Sequence, residues 1–456
     1  MTEILRQKLN SSKAARWTVL IVVAFTMFCG YFITDVMAPL MDLLKDELGW
    51  SATEFGLFNS AYGWLNVFFF MLIISGILLD KLGVRITGIG ACTLMIIGCA
   101  IKYYAISNTF EGVLFEGTFL EMKKQVFFAC IGFAIFALGI ETAGITVTKV
   151  IVRWFKGYEI ALAMGVQVAV ARLGTGLAIA TTIPLSKAMG NLSSPILLGL
   201  AALCIGLIAY LVFCVMDKRL DKSIEGTETE KEDPFKISDI FSIISSRGFW
   251  LIALLCVLFY SAVFPFLKFA TSVMINKYNV DPSLAGSIVF LLPFGNVLLT
   301  PLFGGIYDKK GKGASIMILG AALLIVVHFL FSMPLLNVWW FAAILMIVLG
   351  IAFSLVPSAM WPSVPKIIPD NKLGTAYALI FWVQNIGLMS VPFIIGKVLD
   401  TYCIIGQNEK GAPMYDYQLP MIIFASFGIV ALFVAFLLKR EDKKKGYGLE
   451  SPNMKK

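Results

Sequence analysis

Charged residues are scarce in this sequence, and it contains a single histidine. Of the 456 residues, 14% are charged and 59% are hydrophobic, and the mean hydropathy is +0.85. A soluble domain is about one quarter charged and about half apolar. A water-soluble core cannot bury this many apolar side chains. The composition therefore predicts a membrane protein. It excludes soluble enzymes, nucleic-acid-binding proteins and disordered chains, despite the formal charge of +8.

Motifs of metal, nucleotide and redox sites are also missing. The sequence has no CxxC pair, no HExxH and no glycine-rich phosphate loop, so we expect no metal and no cofactor. Seven of the eight cysteines lie in apolar runs, and we interpret them as small core residues. We expect no cleavable signal peptide, because the first apolar stretch is too long and lacks a small-residue cleavage pattern.

Twelve apolar runs are long enough to cross the ~30 Å hydrocarbon core of a bilayer. They lie near 17–39, 55–79, 86–106, 126–152, 159–183, 195–216, 249–272, 284–306, 314–333, 338–361, 373–397 and 419–439. The runs are continuously apolar and lack the period-two alternation of barrel strands, which favours helices. The predicted fold class is therefore an all-α membrane protein with twelve transmembrane helices in two six-helix bundles.

A charged segment divides these runs into two sets of six. Residues 217–247 contain six basic and eight acidic residues, which predicts a flexible or partly helical linker outside the membrane. We expect a first bundle over 1–216, a second over 248–440 and a basic tail over 441–456.

Lysine and arginine are unevenly distributed between the two sides of the predicted bundles. The N-terminus, the linker, the tail and the connections on their side hold 26 of the 37 basic residues. Positive charge accumulates on the cytoplasmic side of membrane proteins. The distribution therefore predicts cytoplasmic termini and an external 107–125 loop.

The two halves share a glycine-rich turn. GILLDKLGVR, which contains Gly76, Asp80, Gly83 and Arg85, follows the second run, and GGIYDKKGKG, which contains Asp308, follows the eighth. The turn alone could be a charged interfacial loop, but its duplication at equivalent places predicts parallel repeats and a cytoplasmic gate. The twelve-helix plan and this turn resemble the major facilitator superfamily, which implies two bundles that rock around a central site.

Two charged residues lie near the middle of predicted spans. Glu141 is ~14 Å and Arg172 ~18 Å from the cytoplasmic ends of neighbouring helices, at 1.5 Å per residue. A charge at this depth is costly and marks a functional site by default. The remaining ionisable residues lie nearer span ends and are interpreted as snorkelling or locally paired: Asp35, Lys102, Lys149, Lys268 and His328.

The pair has two interpretations. Glu141 and Arg172 could form a structural salt bridge, or they could bind the two ends of a zwitterion. In the second case Arg172 takes a carboxylate in a bidentate fork and Glu141 takes an ammonium group. A neutral ligand would compensate neither charge and a simple anion would be repelled by Glu141, so an amino acid or peptide fits best.

The second half presents amides at the equivalent position. In WVQNIG (382–387) Asn385 takes the place of Arg172, and amides suit a neutral peptide bond. The further predicted substrate-binding residues are Trp382, Gln384 and Asn385 from this segment. Two aromatic residues elsewhere, Tyr62 and Trp361, are candidates for the wall of the site.

Several longer segments resemble the lysosomal dipeptide transporter branch of the superfamily. They are GIET (139–142), WFKGYEIALAMG (154–165), ARLG (171–174), FYSAVFPF (259–266) and AMWPSVP (359–365). The resemblance implies dipeptide transport, with Glu141 holding the amine and Arg172 the carboxylate. Mammalian members carry a lysosomal sorting signal and need a glycosylated partner. Residues 1–16 contain no acidic dileucine motif, so we expect a bacterial plasma-membrane homologue without an accessory subunit.

Three functions remain open at this point. The first is a transporter of dipeptides or similar small zwitterions, with the lipid bilayer as its environment. The second is a facilitator of organic anions, or a proton-coupled symporter, that uses Arg172, with Lys102 or Lys268 as a further counter-charge. The third is a sensor that binds a ligand without transporting it. We expect no enzymatic activity and no nucleic-acid partner.

Overall fold

The computed structural model describes residues 9–118, 120–155, 158–224, 237–334, 336–369 and 372–452. Within these ranges the chain forms fourteen α-helices: α1 Lys13–Asp35, α2 Met41–Leu48, α3 Ala52–Phe68, α4 Met71–Ser107, α5 Lys124–Phe155, α6 Ile160–Met189, α7 Ser194–Ile224, α8 Ile237–Ile244, α9 Arg247–Asn276, α10 Pro282–Lys310, α11 Gly313–Ser332, α12 Trp339–Ile367, α13 Leu373–Tyr402 and α14 Gln418–Lys445. Short 3₁₀ segments lie at Leu9–Ser11 and Ala38–Leu40.

Helical structure follows from the continuously apolar sequence, because a helix satisfies its own backbone hydrogen bonds in lipid. Several helix starts carry side-chain caps. Ser51 and Glu54 form a capping box at α3, and Asp281 accepts from Ser283 N at α10, which satisfies backbone donors that lack a helical partner. Among the described residues, eleven helices are long and apolar enough to cross a membrane. The chain is therefore an integral membrane protein.

The second predicted crossing differs from the expected continuous helix over 55–79. α3 ends at Phe68, and Phe70 has a left-handed backbone (φ 52°), so a break separates α3 from α4. α4 then runs through the predicted turn into the third crossing, interrupted at Gly83 (φ 74°, ψ 172°). Glycine tolerates this positive φ without a Cβ clash. The second crossing is thus made of α3 and the first part of α4.

The helices pack as two bundles, here called the first bundle (α1–α7) and the second bundle (α9–α14). In the first, α4 packs on α5 and α1 on α6 and α7; in the second, α10 packs on α12 and α11 on α14. The bundles meet along α3 with α13 and along α6 with α10. This arrangement leaves a space between the bundles, which is lined by four charged residues of the spans, Asp35, Glu141, Arg172 and Lys268.

In the described part of the chain, two small β-hairpins lie at the same end of the molecule. Val113–Leu114 (β1) pairs with Met122–Lys123 (β2), and Ile404–Gln407 (β3) pairs with Pro413–Tyr415 (β4), both antiparallel. The all-α prediction did not include these strands. We call this end of the molecule the hairpin end, and the opposite end, which carries α8 and the turn at Gly83, the linker end.

The predicted linker and tail lie partly outside the described residues, which omit 225–236 and 453–456. α7 continues through Asp217 to Ile224, and α8 follows the gap. In the tail α14 extends to Lys445, and Glu450 then accepts hydrogen bonds from the backbone and hydroxyl of Ser315, both 2.9 Å. The predicted domain boundaries stay predictions.

Candidate functional site

A cavity of about 440 Å³ lies between the two bundles. Its volume falls in the range of small-molecule sites, roughly 300–1,000 Å³. The first bundle contributes eight of the lining residues, Tyr31, Thr34, Asp35, Asn59, Tyr62, Glu141, Val168 and Arg172. The second contributes fourteen, Tyr260, Phe264, Pro265, Lys268, Asn296, Thr300, Phe353, Pro357, Trp361, Phe381, Gln384, Asn385, Leu388 and Pro392. Neither bundle forms the site alone.

Glu141, on α5, presents its carboxylate to this cavity. The hydroxyl of Tyr62 on α3 donates a hydrogen bond of 2.5 Å to Glu141 Oε1. The Tyr62 ring packs on Phe133, with centroids 5.7 Å apart, so the hydroxyl is held in position by a buried aromatic neighbour. One strong donor orients the carboxylate, and its remaining lone pairs are available to a cation.

Arg172, on α6, reaches the same cavity without contacting Glu141. In the part of the chain that the structure describes, no ion pair within 4.0 Å joins the two side chains. The guanidinium carbon of Arg172 instead lies 5.5 Å from the ring centroid of Tyr31, 5.1 Å from that of Phe264 and 5.8 Å from that of Phe353. The structural salt bridge, one of the two sequence interpretations, is therefore absent in this conformation.

A second charged pair, Asp35 and Lys268, lines the cavity; the sequence suggested Lys268 as a counter-charge for anions but did not predict this pair. Lys268 Nζ lies 2.5 Å from Asp35 Oδ1 and also donates to the carbonyl of Thr34 at 3.1 Å. The sequence indicated that both side chains could be locally paired near a span end. It held no signal that the partners come from different bundles, because that pairing depends on how α1 and α9 meet.

Amides line the side of the cavity formed by the second bundle. Asn385 is 2% exposed; its Nδ2 donates to Phe381 O at 2.9 Å, while its buried Oδ1 has no partner among the described residues. Gln384 accepts from Cys256 Sγ at 3.5 Å. Asn296 and Thr300 were not predicted, although two polar residues at i and i+4 in an apolar helix share one face.

The two predicted tryptophans have different positions. Trp361 lines the cavity and donates to the hydroxyl of Tyr260 at 3.1 Å. Trp382 is not among the lining residues: it donates to Val67 O at 3.2 Å and stacks on Phe70, with centroids 5.5 Å apart. The break between α3 and α4 gives the indole of Trp382 a partner at the bundle interface, outside the cavity, so its role as a substrate contact stays a prediction.

Contacts between the bundles close the cavity at the hairpin end. Asp400 on α13 accepts from the backbone N–H groups of Ala52 (3.2 Å) and Thr53 (2.6 Å) at the start of α3. Asn276 donates to both carboxylate oxygens of Asp42, each at 3.2 Å. Together with the Asp35–Lys268 pair, these bonds join the bundles between the cavity and the two hairpins.

The sequence model of the Major Facilitator Superfamily matches residues 22–392 and 269–453. The chain belongs to the major facilitator superfamily. The family accounts for the two bundles and for a cavity between them, because such transporters bind substrate near the bilayer midplane between structural repeats. The chain is a secondary transporter and not an enzyme.

Curated relatives within the superfamily cover most of this chain. The human lysosomal dipeptide transporter MFSD1 is 28% identical over 400 residues, which are 86% of this chain and 81% of the relative. MFSD1 of Danio rerio is 28% identical over 397 residues, 84% of this chain and 81% of the relative. The sequence-based resemblance to this branch is confirmed as a distant relationship.

Solved structures of superfamily transporters share the fold. The nucleoside transporter NupG matches with a TM-score of 0.67 at 16% identity, covering 93% of this chain and 98% of that chain. A bacterial homologue of the human lysosomal transporter Spinster, in an inward-facing and occupied conformation, matches with a TM-score of 0.69 at 13% identity, covering 95% and 98%. The predicted fold class is confirmed.

The predicted gate residues of this superfamily transporter lie at the linker end. Asp80 pairs with Lys149 at 2.6 Å, and Arg85 pairs with Asp221 at 2.8 Å. These pairs stay within the first bundle, so the gating role remains a prediction.

The glycines of the turn do not mark a close contact between helices. A Cβ added to Gly76 would meet no atom of the described residues within 4 Å. Gly83 is needed for its positive φ instead. Asp308, in the second copy, lies three residues before Gly311, which also has positive φ (70°) and ends α10.

Two ionisable residues predicted to snorkel or pair near span ends are fully buried. Lys102 donates to Ile33 O at 2.9 Å, so it pairs with a backbone carbonyl and does not reach the interface. His328 lies between the rings of Phe266 and Phe424, with centroids 5.0 and 5.4 Å away. Neither lines the cavity, so both belong to the packing of their bundles.

Proposed function

We propose that the chain transports dipeptides or similar small zwitterions by alternating access, with Glu141 holding the amine and Arg172 the carboxylate. The observation that carries the proposal is that two opposite charges line one cavity without pairing with each other. A zwitterion supplies a counter-charge to each. The distant relationship to the MFSD1 dipeptide transporters supports the same substrate class.

The amides of the second bundle suit the middle of such a ligand. A buried acceptor without a partner costs about 1–3 kcal/mol, and Asn385 Oδ1 is one. A peptide N–H would satisfy it. Gln384 offers a second amide beside it, and Tyr62 and Trp361 bound the space for side chains.

The hairpin end is the external side in this proposal. Basic residues concentrate at the linker end, which predicts a cytoplasmic linker and cytoplasmic termini. The bonds of Asp400 and Asp35 at the hairpin end then belong to a state closed to the outside. We assign the protein to a bacterial plasma membrane, and the turns with Asp80 and Asp308 to the cytoplasmic gate.

The proposal is tested with purified protein in liposomes, by measuring uptake of a radiolabelled dipeptide and its competition by amino acids and monocarboxylates. We expect uptake competed by dipeptides, and a loss of at least about tenfold in Arg172→Ala and Glu141→Gln, because each removes a charge-assisted bond.

The matched control is Glu116→Gln, an exposed carboxylate of the 107–125 loop, which should leave uptake unchanged. Intact dipeptide uptake in both cavity variants would refute the assignment of Glu141 to the amine and Arg172 to the carboxylate. Thermal stabilisation by dipeptides without any flux would identify a sensor.

Facilitation of organic anions is the second candidate, because two cationic side chains, Arg172 and Lys268, line the cavity. A monocarboxylate would bind Arg172 while Glu141 carried a proton. Uptake of monocarboxylates that rises at low pH and is not competed by dipeptides would support this candidate.

A further inference from the structure

Arg172 is surrounded by aromatic rings that come from both bundles. Tyr31 on α1 belongs to the first bundle, whereas Phe264 on α9 and Phe353 on α12 belong to the second. All three ring centroids lie within 6 Å of the guanidinium carbon, the distance at which a ring attracts a cation. We call Tyr31, Phe264 and Phe353 the aromatic cage.

The second-bundle part of the cage is fixed by its own packing. Phe264 and Phe353 meet edge to face, with centroids 5.3 Å apart and an interplanar angle of 81°. Tyr260 contacts both rings, at 5.3 and 5.8 Å, and accepts a hydrogen bond from Trp361. These contacts leave the two phenylalanine rings little freedom within the second bundle, so in this conformation they present a defined pair of ring surfaces to the guanidinium.

Aromatic rings stabilise a guanidinium without placing a carboxylate on its N–H donors. An ion pair with Glu141 would consume N–H donors of Arg172 and neutralise both ligand anchors, whereas ring faces attract the charge and leave strong donors available. The described residues include no carboxylate within 4.0 Å of the guanidinium. The cage therefore accounts for the separation of the two charges.

We propose that Phe264 and Phe353 determine carboxylate specificity by holding Arg172 away from Glu141, so that its donors are offered to the carboxylate of a ligand. This inference rests on the proposed function for the identity of the ligand, but not for the chemistry of the cage. Without the rings, Arg172 turns toward Glu141 and the cavity loses both anchors. Because both rings belong to the second bundle, movement of the bundles alters the cage.

The experiment compares ligands with a free carboxylate and their amides. Binding to purified protein is measured by calorimetry for alanyl-alanine, alanine and lactate, each paired with its carboxamide. The variants are Phe264→Leu and Phe353→Leu, which remove the ring at similar volume, and Phe264→Tyr and Phe353→Tyr, which keep it. Phe329→Leu is the control, since Phe329 is 50% exposed on α11 and distant in sequence from the cage.

We expect the wild-type protein to prefer the free acid over the amide by about tenfold or more. The leucine variants should lose most of this preference, while the tyrosine variants and Phe329→Leu keep it. Folding of each variant is checked by thermal unfolding. The two leucine substitutions lie on different helices, so the binding of one variant can be measured if the other misfolds. A leucine variant that folds and keeps the full preference overturns the proposal.

The ligand series separates this inference from the proposed function. If lactate binds and alanyl-alanine does not, and the leucine variants abolish the preference for lactate over its amide, the cage is supported and dipeptide transport is refuted. If no free acid binds to the wild-type protein better than its amide, the cage proposal fails, because Arg172 then does not select a carboxylate.

Discussion

At the scale of single residues, the hydroxyl of Tyr62 orients the carboxylate of Glu141, the proposed anchor for an amine. It donates a 2.5 Å hydrogen bond to one carboxylate oxygen, and a bond to a charged group contributes about 1.5–3 kcal/mol. We expect Tyr62→Phe to weaken dipeptide binding by about tenfold, because the carboxylate loses its fixed orientation toward the ammonium group. Calorimetric titration with a dipeptide measures this change.

The same titration with an N-acetylated dipeptide, which has no ammonium group, tests the assignment to the amine. Its affinity should not change in Tyr62→Phe. The control is Tyr104→Phe, since Tyr104 is 58% exposed and does not line the cavity. Equal losses for both ligands would mean that Tyr62 acts through packing and not through Glu141.

The sequence identified some residues of the cavity and not others. Glu141 and Arg172 could be found from depth alone, because a charge in mid-membrane has few explanations. Phe264 and Phe353 could not, since 13% of the chain is aromatic and no periodicity marks the rings that meet a guanidinium. The position of Trp382 outside the cavity could not be predicted for a related reason: its indole partner is a backbone carbonyl exposed by a helix break.

At the scale of elements, the contact of α3 with α13 depends on glycine. A Cβ on Gly396 would lie 2.2 Å from Ala52 O, and one on Gly56 would lie 2.3 Å from Pro392 O. Overpacking of this kind costs about 1–3 kcal/mol. We expect Gly396→Ala to push the helices apart and shift the protein toward conformations with an open hairpin end.

Double electron–electron resonance would detect this shift as a change in the distance between two spin labels. The labels are placed at positions 47 and 409, both exposed at the hairpin end, after Cys204 is replaced by Ser. Gly165→Ala is the matched control, because a Cβ there meets nothing within 4 Å. Identical distance distributions for Gly396→Ala and Gly165→Ala would show that the close approach does not limit closure.

Element boundaries explain most of the remaining differences from the sequence prediction. Helices and their order follow from apolar run length, because lipid allows few alternatives. The break at Phe69–Phe70 lies in residues 64–75, a stretch of the apolar run that contains neither glycine nor proline, so composition could not locate it. The two β-hairpins lie in polar loops, where their pairing depends on local turns and not on hydropathy.

At the scale of the whole molecule, the Asp35–Lys268 pair links the two bundles beside the cavity. The side chains are 11% and 13% exposed, respectively, and removal of one partner from such a pair leaves an uncompensated charge, which costs about 3 kcal/mol. We expect Asp35→Asn and Lys268→Met each to lower the unfolding temperature. The double variant should recover most of the loss, because it leaves no unpaired charge.

The proposed alternating access makes a second demand on the same pair, since a bridge between bundles would have to break whenever the hairpin end opens. The double variant should therefore populate the open hairpin end more than the wild type, by the same spin-label distances, although its thermal stability is close to normal. A double variant that regains stability and keeps the wild-type distances would assign the bridge to folding alone. One that loses stability additively would show that the two charges do not interact, contrary to their 2.5 Å separation.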